Sequence, residues 1–395
     1  MPGDLSPLQF TLQKNQCTSM SSRPIRLACI TTVPITQHCF LDGQTQFLKS
    51  RGIEIHSIAS PGEHLDLVAE RDGVPVYPVQ ISRSVTPLSD LVSIVNLVRT
   101  LRTIQPDIVN VSTPKAALLG AIAARIARVP HTVFLVRGLV TEYAKGPSRW
   151  LYRNAERLSA TLSDTVVCVS PSLLDFGRRE SIFRDDKGQV VASGMSNGIN
   201  ASKFRRAVDV GRQDSPVVGY VGRLAADKGI EDLARAWPEI KSAHPNARLM
   251  LVGPWESEDS VSPQVREAIE NDPSVTCSGF VDDVTPYYEQ MAVFVYPTHG
   301  SEGFPNAPME AAASGLPVVA TETVGCVDAV VEGRTGKLIP PRSPDRLAEA
   351  VISYLDAPDV RVEHGEAGRQ RVEDEFRQEL IWQGMVDIYQ EIGTS

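Results

Sequence analysis

Short apolar segments alternate with longer amphipathic segments along almost the whole chain, and this alternation limits the possible folds more than any other feature. The apolar segments are IRLACITTV, IEIHSIAS, VPVYPV, DIVNVST, HTVFLV, DTVVCVS and QVVAS, then PVVGYVG, ARLMLVG, VTCSGFV, VFVYPT, LPVVATE and GKLIPP. They are too uniformly apolar for strands with one wet face, but they suit parallel strands covered by helices on both sides. Amphipathic segments such as GIEDLARAWPEIKSAHP fill the intervals. The sequence therefore predicts an α/β fold.

The strand–helix pattern stops at the polar stretch FRRAVDVGRQDSP and then restarts, which predicts two domains. A chain of 395 residues is long enough for both. We predict a flexible tail over residues 1–23, an N-terminal domain over 24–203, a C-terminal domain over 204–378 and a final helix over 379–395 that crosses back to the N-terminal domain. Each domain is predicted to hold a doubly wound, Rossmann-like parallel sheet. Two such sheets would face each other across a cleft, where ligands bind at the carboxyl ends of the strands.

Composition excludes several classes of protein. No run of about 18 apolar residues is present, so no membrane-spanning helix is expected. The first residues lack a basic start followed by an apolar run, so they do not read as a secretory signal. The six cysteines form no CxxC pair, which argues against a zinc site or a disulfide framework and favours a cytoplasmic location.

Charge is distributed unevenly in this chain of net charge -9. Residues 23–200 carry 20 basic and 15 acidic side chains, whereas residues 201–395 carry 18 and 32. A basic front half on an acidic protein indicates an anionic partner. Nucleic acid, an anionic membrane surface and a lipid diphosphate all fit this charge.

The segment GSEGFPNAPMEAAASG, residues 300–315, places two carboxylates around a rigid turn. Asn306 is expected to cap a helix that ends before Gly315, and its free N-terminal amides would attract phosphate. Glu310 lies about one turn inside this helix, where its carboxylate could accept two hydrogen bonds from a vicinal diol such as a ribose. Glu302 precedes the turn and could accept from sugar hydroxyls. For either acid alone, a solvated position near the helix dipole is the simpler interpretation.

A second anion site is predicted at the start of the C-terminal domain, in VVGYVGRLAADKGIEDLARA. Arg223 follows a strand directly, and Lys228 lies just before the next helix. An arginine fork and a lysine point charge commonly hold a diphosphate together. The alternative is an ordinary pair of surface cations.

Taken together, these motifs resemble the retaining nucleotide-sugar glycosyltransferases of family 4, which have the two-domain GT-B fold. The resemblance covers nearly all of residues 24–392 and is most specific in the E-x7-E motif formed by Glu302 and Glu310. VGRLAADKG and SNGIN support it in the same order along the chain. The segments STPKAALLGAIAARIARVP and FLDGQTQFLKSRGIEI resemble most closely the enzymes that extend sugars on undecaprenyl diphosphate.

The resemblance implies roles for specific residues. Arg223 and Lys228 would hold the donor diphosphate, Glu310 the ribose hydroxyls and Glu302 the transferred sugar. The backbone amides of Gly303, Phe304 and Asn306 would contact sugar or phosphate, and the base would pack near Phe280 and Val281. No metal or other cofactor is expected, because side chains and helix dipoles would neutralise the leaving diphosphate. Front-side attack would retain the configuration of a hexose or N-acetylhexosamine, most simply from a UDP-sugar.

Two departures from the family pattern concern the N-terminal domain. The loop TTVPITQHCFLDGQ lacks the usual glycine pair, and Arg137 with Gly138 stands where many members have a histidine. An arginine cannot accept a proton at neutral pH, so Arg137 is expected to contact phosphate instead. Thr113 and Lys115 follow a strand end and are further candidates for the acceptor side.

The acceptor is expected to be lipid-linked or another cell-envelope saccharide, not nucleic acid. Arg149, Arg153 and Arg157 share one helix face beside Trp150 and Leu151, which fits a helix resting on anionic lipid. A solvated face with Trp150 turned inward fits equally well. A peripheral position on the inner face of the cytoplasmic membrane follows from the first interpretation. A sugar-nucleotide epimerase of the same fold and an inactive scaffold are the alternative functions.

Overall fold

The computed structural model describes residues 23–84, 86–184, 186–204, 214–257, 259–300 and 302–393. The predicted tail, apart from residue 23, and most of the polar stretch between the predicted domains lie outside the described residues. Each of the thirteen apolar segments contains a strand, which confirms the prediction of an α/β fold. The strands are β1 (Ile25–Ile30), β2 (Ile53–Ala59), β3 (Val76–Pro78), β4 (Ile108–Ser112), β5 (His131–Val136), β6 (Thr165–Cys168), β7 (Gly188–Val190), β8 (Val217–Val221), β9 (Arg248–Val252), β10 (Val275–Cys277), β11 (Val293–Tyr296), β12 (Val318–Thr321) and β13 (Gly336–Ile339).

The strands form two separate sheets, and every pairing within them is parallel. The first sheet has the order β3-β2-β1-β4-β5-β6-β7 and the second has the order β10-β9-β8-β11-β12-β13. In both sheets the order reverses beside the first strand of the domain, which creates a crevice at the carboxyl edge. Every residue of β4, β11 and β12 is buried, as expected for strands with helices on both faces.

Helices connect most of the consecutive strands, and further helices follow the last strand. They are α1 (Pro34–Phe40), α2 (Gln44–Ser50), α3 (Glu63–Asp72), α4 (Pro87–Ile104), α5 (Pro114–Ala127), α6 (Gly146–Leu162), α7 (Pro171–Arg179), α8 (Ile230–Ala243), α9 (Pro263–Asn271), α10 (Thr285–Tyr288), α11 (Asn306–Ala313), α12 (Cys326–Ala329), α13 (Pro344–Asp356), α14 (Pro358–Glu375) and α15 (Gln378–Gly393). Helices α4, α5 and α6 lie side by side on one face of the first sheet. Helix α15 packs on α2, and its Tyr389 lies within hydrogen-bond distance of Asn110 on β4.

The two sheets are held together by contacts at their facing edges. Ser172, in the first turn of α7, donates its hydroxyl to the Asp328 carboxylate on α12, and its backbone amide donates to the same carboxylate over 3.1 Å. The Gly325 amide donates to the Ser172 hydroxyl oxygen over 2.8 Å. Asp328 therefore satisfies an amide at the start of a helix in the other domain, which couples the positions of the two domains.

Gly229, the residue before α8 at the carboxyl edge of the second sheet, should not tolerate a larger residue. Its φ is 72°, and an added Cβ would lie 1.9 Å from the carbonyl oxygen of Pro297. Gly333 has a similar φ of 68° but no atom within 4 Å of an added Cβ. Gly333→Ala should therefore cost only the left-handed backbone strain of about 1–2 kcal/mol, whereas Gly229→Ala adds a backbone clash.

Thermal unfolding of the two glycine variants measures the difference. We expect Gly229→Ala to lower Tm by several degrees more than Gly333→Ala. Equal shifts in Tm would show that the loop before α8 moves away from Pro297 without cost.

Candidate active site

A cavity of about 510 Å³ lies between the carboxyl edges of the two sheets. Its N-terminal wall follows strands β4 and β5, and its C-terminal wall follows strands β8 and β11, as parallel sheets facing each other require. Among the residues that border it are Thr113, Pro114, Arg137, Gly138, Tyr143 and Glu156 from the first domain, and Gly222, Tyr296, Glu302, Gly303, Phe304, Pro305, Asn306 and Ala307 from the second.

Glu302 is the centre of a hydrogen-bonded network on the C-terminal wall. Its Oε1 accepts from Lys228 Nζ over 2.7 Å and from the Tyr296 hydroxyl over 2.8 Å. Lys228 also forms an ion pair with Asp227 over 2.9 Å. Burial alone would lower the pKa of the Lys228 amine, but Glu302 and Asp227 outweigh it and raise that pKa. Lys228 therefore keeps its charge beside the cleft.

Glu310, the second acid of the motif, is anchored by a buried tyrosine. Its Oε2 accepts from the Tyr288 hydroxyl over 2.9 Å, and Tyr288 itself has no exposed surface. Burial raises the pKa of the Glu310 carboxyl, although the hydrogen bond from Tyr288 acts against the shift. The carboxylate is thus held in one orientation while part of the residue stays accessible.

The loop between the two acids lies directly against the N-terminal domain. A Cβ on Gly303 would stand 1.8 Å from the carbonyl oxygen of Arg137, so only glycine fits there. Phe304 is 8% exposed and packs on Phe376 with ring centroids 5.3 Å apart, so its side chain belongs to the core. Phe304 also borders the cavity.

The expected cap at Asn306 is wrong. Helix α11 begins at Asn306, and the capping position is taken by Pro305, which offers no side-chain acceptor. The proline at 305 fixes an extended backbone one residue earlier than the sequence analysis expects. The first amides of α11 consequently receive no side-chain cap and border the cavity at Asn306 and Ala307.

Arg223 follows β8 as expected, but its side chain is paired with another residue. Its Nη1 lies 2.7 Å from Glu256 Oε2, and about half of the side chain is exposed. The hydrogen bond to Glu256 raises the pKa of the guanidinium. Phe280, 75% exposed, and the partly buried Val281 lie in the loop after β10 and are absent from the described lining of the cavity.

The three acceptor-side candidates differ in their positions. Thr113 borders the cavity, and its Oγ1 accepts from the Thr32 amide over 3.0 Å. Lys115 forms an ion pair with Asp90 over 2.6 Å, which ties α5 to the start of α4. Arg137 is partly buried and donates to Ser112 Oγ over 3.2 Å. Burial lowers its pKa to about 10, so it remains charged at neutral pH.

Glu156 on α6 is a cavity residue that sequence reasoning missed. The residue is 4% exposed, and its carboxylate accepts from the Val140 amide and the Thr141 hydroxyl, both over 2.6 Å. These contacts hold the loop that follows β5, which carries Arg137 and Gly138 at the cleft. Burial raises the pKa of this carboxyl, although the hydrogen bonds oppose the shift. The sequence offered one indication of such a role: Glu156 is a single acid on a helix that carries three arginines.

Tyr296, Tyr288 and Asp227 also escaped the sequence analysis. Nothing in the sequence singles out the two tyrosines, and only the fold brings the Tyr296 hydroxyl to Glu302 and the Tyr288 hydroxyl to Glu310. Asp227 could have been found from the sequence, because it directly precedes Lys228.

The described residues include no group of three or more His, Cys, Asp or Glu side chains placed to hold a metal ion. Over that same part of the chain, no helix has the length and apolarity needed to cross a membrane.

The fold and the cleft define a class: two Rossmann-like domains in the GT-B arrangement, with an E-x7-E motif at the facing edge. Residues 215–357 match the family described as Glycosyl transferases group 1, and residues 44–194 match the Glycosyl transferase 4-like domain. The chain belongs to this family of glycosyltransferases. That assignment favours transfer over the epimerase and the inactive scaffold.

Curated relatives agree with the assignment. The capsular polysaccharide biosynthesis glycosyltransferase CapM of Staphylococcus aureus is 32% identical over 88% of this chain and 92% of its own length. An Escherichia coli enzyme named UDP-Gal:alpha-D-GlcNAc-diphosphoundecaprenol alpha-1,3-galactosyltransferase is 26% identical over 70% of this chain and 73% of its own.

Solved structures share the fold at lower sequence identity. Anabaena HepE, solved in complex with UDP and glucose, superposes with a TM-score of 0.76 at 19% identity, covering 93% of this chain and 99% of HepE. The apo lipopolysaccharide outer core galactosyltransferase WaaB gives a TM-score of 0.70 at 16% identity, covering 93% and 100%.

Replacing Glu156 tests its role in holding the cleft wall. Glu156→Ala leaves the partly buried Val140 amide and the buried Thr141 hydroxyl without their acceptor, which typically costs about 1–3 kcal/mol. Glu156→Gln can still accept from that amide and donate to the Thr141 hydroxyl. We expect the alanine variant to lose both stability and transfer, and the glutamine variant to keep most of each.

Thermal unfolding and initial rates of sugar transfer, measured on both variants, separate these outcomes. If Glu156→Gln were as inactive as Glu156→Ala while remaining stable, the carboxylate charge itself would be required and the positioning role would be wrong.

Proposed function

We propose that this glycosyltransferase moves a hexose or N-acetylhexosamine from a UDP-sugar to a lipid-linked or other cell-envelope polysaccharide acceptor, with retention of configuration. The observation that carries the proposal is the arrangement around α11. Two glutamates, each held by a tyrosine hydroxyl, flank an uncapped helix start beside a charged lysine.

The donor would lie along the C-terminal wall. Lys228 and the first amides of α11 offer positive charge for the diphosphate, and Arg223 would join them by exchanging Glu256 for phosphate oxygen. Glu310 would accept from the ribose hydroxyls. The UDP and glucose seen in HepE support a UDP-sugar as the donor.

The transferred sugar would sit between the two walls of the cleft. Glu302 would accept from its hydroxyls, and the backbone amides from Gly303 to Asn306 would contact sugar or phosphate. The nucleobase would reach the loop of Phe280 and Val281, where an exposed aromatic ring offers a stacking surface.

The acceptor would enter along the N-terminal wall. The partly buried, charged Arg137 and Thr113 border the cavity there and suit the phosphate of a lipid-linked acceptor. Lys115 would contribute only after releasing Asp90. The E. coli relative, which acts on a diphosphoundecaprenol-linked sugar, supports this class of acceptor. We place the enzyme in the cytoplasm, peripheral to the inner face of the membrane.

The chemistry we propose needs neither a metal nor another cofactor. As the bond between sugar and diphosphate breaks, the sugar becomes oxocarbenium-like and negative charge develops on the leaving diphosphate, which Lys228, Arg223 and the start of α11 would stabilise. With no protein nucleophile required, the acceptor hydroxyl would attack from the face that the diphosphate leaves. The departing phosphate would take up the proton of that hydroxyl.

Glu310 should make donor binding depend on pH. The ionised carboxyl accepts from a ribose diol and the protonated carboxyl does so less well, so donor affinity should fall as pH falls through the Glu310 pKa. Because that pKa is raised, the fall begins above the ordinary glutamate range. Glu310→Gln should weaken binding and flatten this dependence.

Isothermal titration with an intact UDP-sugar, whose diphosphate does not titrate in this range, measures the effect between mildly acidic and neutral pH. Glu289→Gln, on the partly buried side chain next to Tyr288, is the control. Unchanged affinity in Glu310→Gln at neutral pH would exclude the ribose role.

Lys228→Ala should reduce transfer by about a hundredfold or more, the usual scale for removing one preorganised charge from a transition state. Lys228→Arg should recover part of the rate, since it restores the charge with different geometry. Arg223→Ala combined with Lys228→Ala should abolish transfer while the protein stays folded. Initial rates together with circular dichroism measure this, and retained activity in the double variant would refute the diphosphate assignment.

A further inference from the structure

Helix α4 exposes an apolar stripe that packing within the chain does not explain. Leu88, Leu91, Val92 and Val95 recur at the spacing of one helix face, and the first three are 86%, 61% and 60% exposed. The opposite face of α4 is buried on the domain. A surface helix normally presents polar residues to water, so four exposed aliphatic side chains in a row indicate a partner.

Helix α6 repeats this pattern two helices away. Trp150, Leu151 and Leu158 lie on one face and are 64%, 48% and 45% exposed, so Trp150 is not turned inward. The arginine face predicted from sequence lies beside it. Arg149 and Arg153 reach Glu180 at 2.9 Å and 3.9 Å, and both stay about 40% exposed.

The two apolar stripes lie toward the cleft end of the same molecular face. Helices α4, α5 and α6 are neighbours, and each begins near the carboxyl edge of the sheet because it follows a strand. Leu88 to Val95 fill the first half of α4, and Trp150 and Leu151 lie in the first turns of α6. Thr113 and Pro114, at the start of α5 between them, border the cavity.

The charge of this face favours an anionic lipid surface over a second copy of the chain as its partner. Helices α4, α5 and α6 together carry seven basic side chains and two acids. Both acids are engaged internally, Asp90 with Lys115 and Glu156 with the loop after β5. Two further acids from neighbouring segments pair with three of these cations, Asp164 with Arg125 and Glu180 with Arg149 and Arg153, so the basic side chains still outnumber the acids by seven to four. A second copy of the chain docked through this face by two-fold symmetry would set the basic surface against itself. An anionic lipid surface complements both the charge and the exposed apolar side chains.

We propose that α4 and α6 dock the N-terminal domain on an anionic lipid bilayer, with the cleft opening at the membrane surface. The aliphatic stripe of α4 and the Trp150 stripe of α6 enter the headgroup region, and the arginines meet the lipid phosphates. A lipid-linked acceptor then reaches Thr113 and Arg137 without leaving the bilayer. This last consequence rests on the proposed function, whereas the docking surface itself does not.

Vesicle sedimentation tests the docking surface on the full chain. Vesicles of phosphatidylcholine with roughly 30% phosphatidylglycerol, which attract basic surfaces, are compared with vesicles of pure phosphatidylcholine. Leu88→Asp combined with Leu91→Asp should weaken binding to the anionic vesicles at least about tenfold, because it removes apolar contacts and adds repulsion. Val360→Asp, on an exposed valine at the start of α14, is the matched control and should bind like the wild type.

Two further variants separate the apolar and electrostatic contributions. Arg99 and Arg102 are the two exposed arginines of α4. Arg99→Gln with Arg102→Gln should reduce vesicle binding and its sensitivity to salt, while Trp150→Ser should reduce vesicle binding at every salt concentration. Unfolding curves matching the wild type would show that these changes at exposed positions leave the fold intact.

Each remaining outcome decides for or against the docking surface. The proposed docking surface is overturned if the wild-type protein does not bind anionic vesicles, or if the Leu88/Leu91 variant binds them as strongly as the wild type. Wild-type dimers that become monomers in that variant, without a change in vesicle binding, would assign the face to a second copy and also overturn it. Transfer to a short water-soluble acceptor is assayed in parallel. If the protein transfers sugar but does not bind vesicles, the docking surface is wrong and the proposed function stands. If the protein binds vesicles but transfers sugar to no acceptor, the docking surface stands and the proposed function is wrong.

Discussion

The close approach of Gly303 to the carbonyl of Arg137 sets the geometry on which the cleft depends. No side chain fits between them, and an added Cβ on Gly325 would stand only 2.1 Å from the carbonyl oxygen of Glu302 on the other side of the loop. The loop that carries Glu302 is thus enclosed by backbone of both domains. Backbone cannot move aside as a flexible side chain can, so this loop holds Glu302 in a defined position facing the N-terminal wall. Helix α11 begins directly after the loop, so the loop also fixes the position of its first residues.

The charged groups of the site share a second feature: each is compensated by an opposite charge or by hydrogen-bond donors. Lys228 lies between Asp227 and Glu302, Glu310 accepts from Tyr288, and Glu156 accepts from the loop after β5. Each group is partly or fully removed from water, where an uncompensated charge is costly. The same arrangement would preorganise the C-terminal wall for the proposed diphosphate, because the uncapped start of α11 borders the cleft and Lys228 is charged beside Glu302 before any ligand arrives.

Most of the fold could be predicted from sequence, since strand runs buried on both faces have few alternatives. The spacing of Glu302 and Glu310 likewise predicted that both acids flank the start of one helix. Ion pairing across long sequence separations could not be predicted. Glu256 meets Arg223 and Asp90 meets Lys115 only after the sheets form. The cap at Asn306 was missed by one residue, because Pro305 prefers the extended conformation that ends the loop. The apolar face of α4 was missed because its periodicity looks the same whether the residues point inward or outward.

The sequence by itself determined the order of strands and helices, the existence of two domains and the chemical types gathered at the E-x7-E loop. These follow from local rules, namely burial periodicity, turn residues and helix ends, which act over a few neighbouring positions. Only the tertiary structure decided which tyrosines hold the two glutamates, which cations are already paired, and which apolar residues face solvent at the cleft mouth. Those outcomes depend on distances between segments far apart in the chain, and such distances exist only once both sheets have packed.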